Sequence, residues 1–436
     1  MLEEYNIFLK NSLFSIVTLI IICFITGIIS IMTARYLGPA GKGAYSLIVL
    51  IPTLFVVFGS LSVDSAYVYL IGKKRYSLSE ITSNAVILTI IVSSILIMVY
   101  MLTFQFIHVF LRNISYLVIF IAILSVPFKL FLLYSQGIFL GADKITKLNL
   151  SMLIEYIFLL VSIIISLVVL RKGLELTIFT YTISYVALFI IVFYWLNRLT
   201  PINLAFRSKL IKESLKIGIK THFNMLFYYF NTSLGLLLAG IFLPLHEVGY
   251  YAVALNIIVL GYYILSPLSY LLFAKTCSFN IEESNKLTSR VCRITIVAIA
   301  VLAIIIFIMS KWLIYLLYGK TYAPSLLLLR IMLLSLIPYS ILRILMEAMK
   351  GRGHFVMASV ISFITMLMHI LLNLYLIPKT GTQGAAFSFT ISHYLASILV
   401  LIFFLKISGS RLSDILFIKM SDLAYIKNLI IKKVEM

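Results

Sequence analysis

Apolar residues along the chain come in twelve runs: about 10–34, 43–70, 81–106, 116–140, 148–170, 175–197, 216–243, 248–274, 290–310, 323–349, 355–377 and 383–405. Alone or with its flanks, each is long enough to cross a hydrocarbon core of about 30 Å as a helix. None alternates with period two, and all are too long for membrane strands, so the pattern predicts an all-α polytopic membrane protein. Polar positions inside two runs are themselves ordered. Asn11, Ser15, Thr18, Thr26, Ser30 and Thr33 recur at spacings that keep one helical face. Lys220, Asn224, Tyr228, Asn231 and Gly235 do the same in the seventh run. Lipid rewards no such stripe. Each must meet other helices through hydrogen bonds or line a wet cavity. Because both stripes show the same habit, Asn11, Ser15, Thr18, Thr26, Asn224, Tyr228 and Asn231 are read as cavity-lining.

The two striped runs begin the two halves of an internal repeat. LGPAGKGAYSL holds Pro39, Ala44 and Tyr45; FLPLHEVGYYAV holds Pro244, Gly249 and Tyr250 at the same spacing, 205 positions later. Gly141 in FLGADK matches Gly351 in MKGRGH at an offset of 210. Gly173, Phe179 and Thr182-Ile183-Ser184 match Gly381, Phe387 and Thr390-Ile391-Ser392 at an offset of 208. Each half then holds six spans, an even number, so the repeats run parallel about an axis along the membrane normal. The expected organisation is an N-lobe over 1–200, a C-lobe over 201–409 and a cytoplasmic amphipathic tail over 410–436. In that tail, Leu412, Ile415, Leu416, Leu423, Ile426 and Ile430 alternate with charged residues, as in a helix held on an anionic leaflet.

Composition agrees with a membrane protein: 62% of residues are hydrophobic and 11% charged, against roughly 25% charged in soluble domains. The net charge of +20 would hint at nucleic acid were it not so unevenly placed. With the N-terminus inside, 24 of the 35 Lys and Arg fall on cytoplasmic segments, 8 on outer connectors, Lys42 among them, and three inside spans. This is a positive-inside bias, with both termini cytoplasmic, and it leaves no case for nucleic-acid binding. The first run is too long for a signal peptide and lacks a small-residue cleavage pattern. Cys23, Cys277 and Cys292 have no CxxC or histidine spacing, so no disulfide or metal is expected.

Ionisable residues inside spans are the candidate chemistry, because a charge at the bilayer centre costs about 2.5–3.5 kcal/mol on insertion scales. Lys129 lies nearest a midplane, two residues after Pro127, with no sequence-local partner. Arg330, Arg343 and Glu347 share the tenth run. Arg343 and Glu347, four apart, equally suit an intrahelical pair. Asp64 could neutralise Lys129 or a loop cation. Arg35 closes the first span and could snorkel; Lys220 opens the seventh. Asp64, Glu155 and Glu347 are candidate proton or cation sites, as are His369 and His393, although a lone intramembrane histidine commonly packs within the bundle.

ARYLGPAGKGAYS, GSLSVDSAYVYLIG and the stretch from GRGH to LIPKTGTQGAAFS resemble the Wzx-type bacterial flippases of O-antigen and capsule polysaccharide. Those belong to the superfamily (MOP) that also contains MATE exporters and lipid II flippases. The resemblance covers about residues 8–405, with loose patterns rather than a catalytic signature. It implies two six-helix lobes in a MATE-like V in the bacterial plasma membrane, exporting undecaprenyl-diphosphate-linked repeat units by alternating access. The lipid II flippases generally carry two further helices, which this chain lacks. On that reading Lys129, Arg330 and Arg343, with Arg35 and Lys220 at the mouths, serve the diphosphate headgroup. The polar stripes serve the sugars. A glycan polymerase and other assembly proteins are expected partners beside membrane lipids.

No phosphate-binding GxxxxGK loop is present, so no cofactor is expected, and coupling falls to H+ or Na+ or to downhill flow. A MATE-type multidrug exporter shares the expected fold but would want an acidic residue in the striped spans, and the first has none. A membrane-embedded glycan polymerase would want a sizeable outer loop; the outer connectors here are short.

Overall fold

The computed structural model describes residues 2–110, 114–202, 206–420 and Asp422; side chains are described for these except at 2–10, 12, 106–110, 224, 264, 266, 267, 270, 274 and 278. Every described element is helical: α1 (Leu2–Ser60), α2 (Val63–Gly72), α3 (Leu78–Phe110), α4 (Tyr116–Ile123), α5 (Val126–Gly141), α6 (Ile145–Ile163), α7 (Leu174–Leu199), α8 (Ser208–Phe242), α9 (Leu245–Ser278), α10 (Ile281–Leu313), α11 (Ser325–Leu333), α12 (Leu336–Gly351), α13 (Phe355–Thr380), α14 (Thr382–Ser408) and the short α15 (Leu412–Leu416). A π-helical turn continues α6 over Ile164–Val169, and another continues α10 over Ile314–Tyr318.

Among the described residues, ten helices are long and apolar enough to cross a membrane, eleven when α11 and α12, bent by 43°, count as one span. The protein is a multi-pass membrane protein. The segment Leu13–Ser60 counts once although it is 48 residues long. Gly38 interrupts it with φ 68°, a left-handed conformation that glycine adopts without a Cβ penalty, and Pro39 follows. The runs foreseen at 10–34 and 43–70 therefore meet at a glycine kink rather than a loop.

The chain forms two compact units, Met1–Val253 and Ala254–Met436. In the first, the two copies of the proline hairpin touch. A Cβ on Gly43 would run into the Leu245 carbonyl oxygen, and one on Gly249 into that of Pro39. Glycine at both places lets the backbones close on each other. The second unit packs α12 against α10 and α14, around Ile344, Leu345, Ala348, Met349 and Phe404.

Both units repeat one device. Pro127 and Pro338 each sit at the start of a 16-residue helix, α5 and α12, and each lacks the N–H that would continue the preceding helix. The breaks fall at Ser125 and Ser335, whose hydroxyls bond back to the Ala122 and Met332 carbonyls, both at 2.6 Å. Carbonyls left near the breaks are taken from α7 and α14: Thr182 donates to Ile121 O at 2.9 Å and Thr390 to Ile331 O at 3.0 Å. The threonines of the repeated Thr-Ile-Ser triplets are thus explained by what they hold.

Only part of the expected amphipathic tail lies within the described residues; 423–436 lie outside them. Ile415 of α15 is buried in the core of the second unit. Asp422 is fully buried and accepts from Arg293 Nε at 2.6 Å and Nη2 at 2.8 Å. The Arg293 guanidinium holds the Asp422 carboxyl down at about 2, well below the usual carboxylate range.

Candidate functional site

The proline break sets the geometry around Lys129. It ends α4, starts α5 and leaves Lys129 in the first turn of the new helix, aimed at α1 and α7. Its ammonium donates to Thr53 Oγ1 at 2.8 Å and to Tyr181 OH at 3.1 Å. It also lies over the rings of Tyr181 and Tyr185, 5.7 and 5.1 Å from their centroids. Tyr181 and Tyr185, four apart on α7, meet edge to face at 5.1 Å. Tyr185 OH in turn donates to Glu155 Oε1 on α6 at 3.0 Å. Lys129 and Glu155 interact through space without forming an ion pair.

Two hydroxyl bonds at about 0.6 kcal/mol each in a membrane setting and ring contacts worth about 0.5–2 kcal/mol come near the insertion cost of about 2.5–3.5 kcal/mol. Neutral groups can therefore hold this ammonium in place. Lys129 and Glu155 are half-buried. Asp64, the alternative partner for Lys129, is elsewhere. It opens α2, accepts from Ser65 at 3.3 Å, and has its other oxygen buried without a hydrogen-bond donor.

One buried cation escaped the sequence reading. Lys42, counted among the outer-connector cations, is 2% exposed. It folds back across the Gly38 kink to donate to Thr33 Oγ1 at 2.9 Å and Ser30 Oγ at 3.4 Å, and it lies 5.8 Å over the Tyr45 ring. Position next to a turn hid Lys42; the buried hydroxyls at i−9 and i−12 are no local pattern. Thr53, Tyr181 and Tyr185 were also missed, although the i, i+4 tyrosines mark one face of α7.

The remaining candidates are dispersed. Arg330 donates from Nε to Ser310 Oγ at 3.1 Å, lies 4.9 Å from the Phe307 centroid and, with Thr382 and Gln383, lines a pocket of about 280 Å³ in the second unit. Arg343 Nη1 is 3.4 Å from Glu347 Oε1, which also accepts from Lys350 at 3.2 Å. The intrahelical pair considered for these residues is formed. Arg35 and Lys220 are exposed. On α1, Thr18 is buried, Thr26 bonds its own helix at Ile22 O, and Ser15 accepts from Asn149 on α6 at 2.9 Å while bonding Asn11 O. On α8, Tyr228 is exposed and Asn231 half-buried; the Asn224 side chain lies outside the described residues.

The repeat places a counterpart of the Lys129 cluster in the second unit. At offsets of 210 and 208, Lys129, Tyr181 and Tyr185 correspond to Tyr339, Phe389 and His393. These too converge: the Phe389 and His393 rings are 4.4 Å apart and those of Tyr339 and His393 5.6 Å. Tyr262 stacks on Tyr339 at 3.5 Å. His393 Nδ1 is 2.7 Å from Phe389 O, and His369 is buried beside Phe389. The same architectural position is cationic in one unit and aromatic in the other. Among the described residues no group of three or more His, Cys, Asp or Glu could hold a metal ion.

Residues 8–273 match the family described as polysaccharide biosynthesis protein. No curated protein sequence matches the chain. Among solved structures, the chain is similar to an inward-facing multidrug resistance MATE family transporter of the MOP superfamily, with TM-score 0.77, 12% identity and coverage of 89% of this chain and 94% of that one. It is also similar to the lipid II flippase MurJ in an inward closed conformation, with TM-score 0.72, 15% identity and coverage of 92% and 90%. A MOP superfamily transporter from Pyrococcus furiosus, described as having a binding pocket of reversed polarity, gives TM-score 0.64, 14% identity and coverage of 92% and 95%. At these identities the likeness establishes the fold.

Proposed function

Since the chain belongs to the polysaccharide biosynthesis protein family, we propose that it is a flippase exporting undecaprenyl-diphosphate-linked oligosaccharide repeat units across the bacterial plasma membrane for cell-surface polysaccharide. The observation that carries this reading is Lys129, a half-buried ammonium inside a span whose hydrogen bonds go to hydroxyls rather than to a carboxylate. A diphosphate leaving water needs cations to replace its hydration, and an ammonium on neutral partners can turn to it without breaking an ion pair. Arg330 is the second such cation, held by a serine and a ring. The polyprenyl tail stays in lipid, and the sugars pass among hydroxyl and amide groups.

On this reading the long Leu13–Ser60 segment, kinked at Gly38, serves as two spans, each repeat has six, both termini are cytoplasmic, and the repeats alternate access to the two faces. The solved flippase for lipid II shares the fold and offers a precedent for a lipid-linked cargo. The test is reconstitution into vesicles with a polyprenyl-diphosphate oligosaccharide and an assay of the leaflet in which it resides. The reading predicts protein-dependent movement of the lipid-linked glycan and none of a cationic drug. Movement of the drug alone would replace it with multidrug export.

A further inference from the structure

Glu155 is held beside Lys129 by an arrangement that avoids contact. Tyr185 stands between them, with its hydroxyl on the Glu155 carboxylate at 3.0 Å and its ring facing the Lys129 ammonium at 5.1 Å. Thr53 and Tyr181 occupy the ammonium's near donors. The charges thus stabilise each other through a ring while the ammonium stays available.

We propose that Lys129 and Glu155 form one linked anion–proton site, in which an anionic diphosphate taken by Lys129 is accompanied by a proton taken by Glu155. This rests on the reading of Lys129 as a headgroup cation. With Lys129 unoccupied, its positive charge favours an ionised Glu155. A diphosphate on Lys129 places negative charge across the same ring, and the carboxylate then faces a like charge in a poorly solvated interior. A proton from solvent adds to a Glu155 carboxylate oxygen; no bond of the substrate forms or breaks. Linkage is reciprocal, so a protonated Glu155 tightens anion binding by the same factor.

Titratable groups face Glu155 from two packed helices. Tyr181 and Tyr185 come from α7 and Lys129 from α5. Phenols do not ionise near neutrality, so a proton taken up with the anion goes to Glu155 or to Lys129 itself, and Glu155→Gln tells the two apart. The corresponding cluster of the second unit, Tyr339, Phe389 and His393, has neither an ammonium nor a carboxylate, so it forms no such linkage.

The test uses the full chain in nanodiscs with inorganic pyrophosphate as the probe. Calorimetric titration in two buffers of unlike ionisation enthalpy gives the protons taken up per anion bound. The wild type should take up more protons than Glu155→Gln, the excess approaching one per anion. Its affinity should rise by up to about tenfold per unit fall in pH across the Glu155 titration, a dependence absent from Glu155→Gln. Pyrophosphate's own protonation is common to both and cancels in the difference. Tyr185→Phe keeps the carboxylate and should shift the pH at which affinity changes; it carries the test if Glu155→Gln fails to fold. Equal proton uptake in wild type and Glu155→Gln, or an unshifted profile in Tyr185→Phe, overturns the linkage. If Lys129→Met still weakens binding in that case, the headgroup reading stands without it. Unaltered binding in Lys129→Met overturns both.

Discussion

Lys129 and Tyr339 occupy equivalent places, each just inside the helix that restarts after a proline break, and they do opposite things. Around Lys129 the first unit assembles hydroxyls, ring faces and a carboxylate held one ring away. Around Tyr339 the second assembles a stack of Tyr262, Phe389 and His393. The shared scaffold is the break and the threonine that caps it; the difference lies in the side chains the scaffold presents. Other cations of the second unit are committed to carboxylates, Arg343 and Lys350 to Glu347 and Arg293 to Asp422, whereas Arg330 rests on a serine and a ring. Paired charges hold a fold together, whereas an ammonium on neutral partners stays ready for an anion.

The contrast can be broken first at the paired end. Asp422→Asn leaves Arg293 buried without its anion and should cost about 3–5 kcal/mol of stability, read as a lowered melting temperature, with transport per folded molecule unchanged. The same pair sets an acid limit. Because Arg293 holds the Asp422 carboxyl near 2, below its unfolded value, its contribution is complete above the ordinary carboxylate range and lost as pH falls through about 2. Thermal melts across that range should show the loss in wild type but not in Asp422→Asn.

Lys129→Met should keep the protein at its normal membrane level and weaken diphosphate binding by about 10- to 100-fold, the worth of about 1.5–3 kcal/mol for a hydrogen bond to a charged group. Tyr339→Phe, the equivalent position, should leave binding within twofold by the same pyrophosphate titration. The smallest effect tests the scaffold. Thr182→Val and Thr390→Val should each cost about 0.6 kcal/mol in matched melts, and a large inequality would show that the breaks are not equivalent.

Much of the fold was legible because lipid enforces long apolar runs and the repeat fixes their order. The break at Ser125, inside the single run 116–140, was harder to see. A kink that keeps helical hydrogen bonds on both sides leaves no polar gap in the hydropathy pattern. The site was legible at Lys129, since a lone charge in an apolar run must have a reason. Its partners were not, because Thr53, Tyr181 and Glu155 lie 76, 52 and 26 residues away and meet it only through packing. Lys42 was assigned only a side, the outer one, and its burial was not legible, because the kink folds it back onto Ser30 and Thr33.

The central claim is that Lys129 carries the anionic headgroup across the membrane, and the direct measurement is the leaflet-sidedness assay run on Lys129→Met. With a polyprenyl-diphosphate oligosaccharide in reconstituted vesicles, the account predicts that the wild type and Tyr339→Phe move the glycan while Lys129→Met, folded and inserted, does not. Movement by Lys129→Met at the wild-type rate would contradict it.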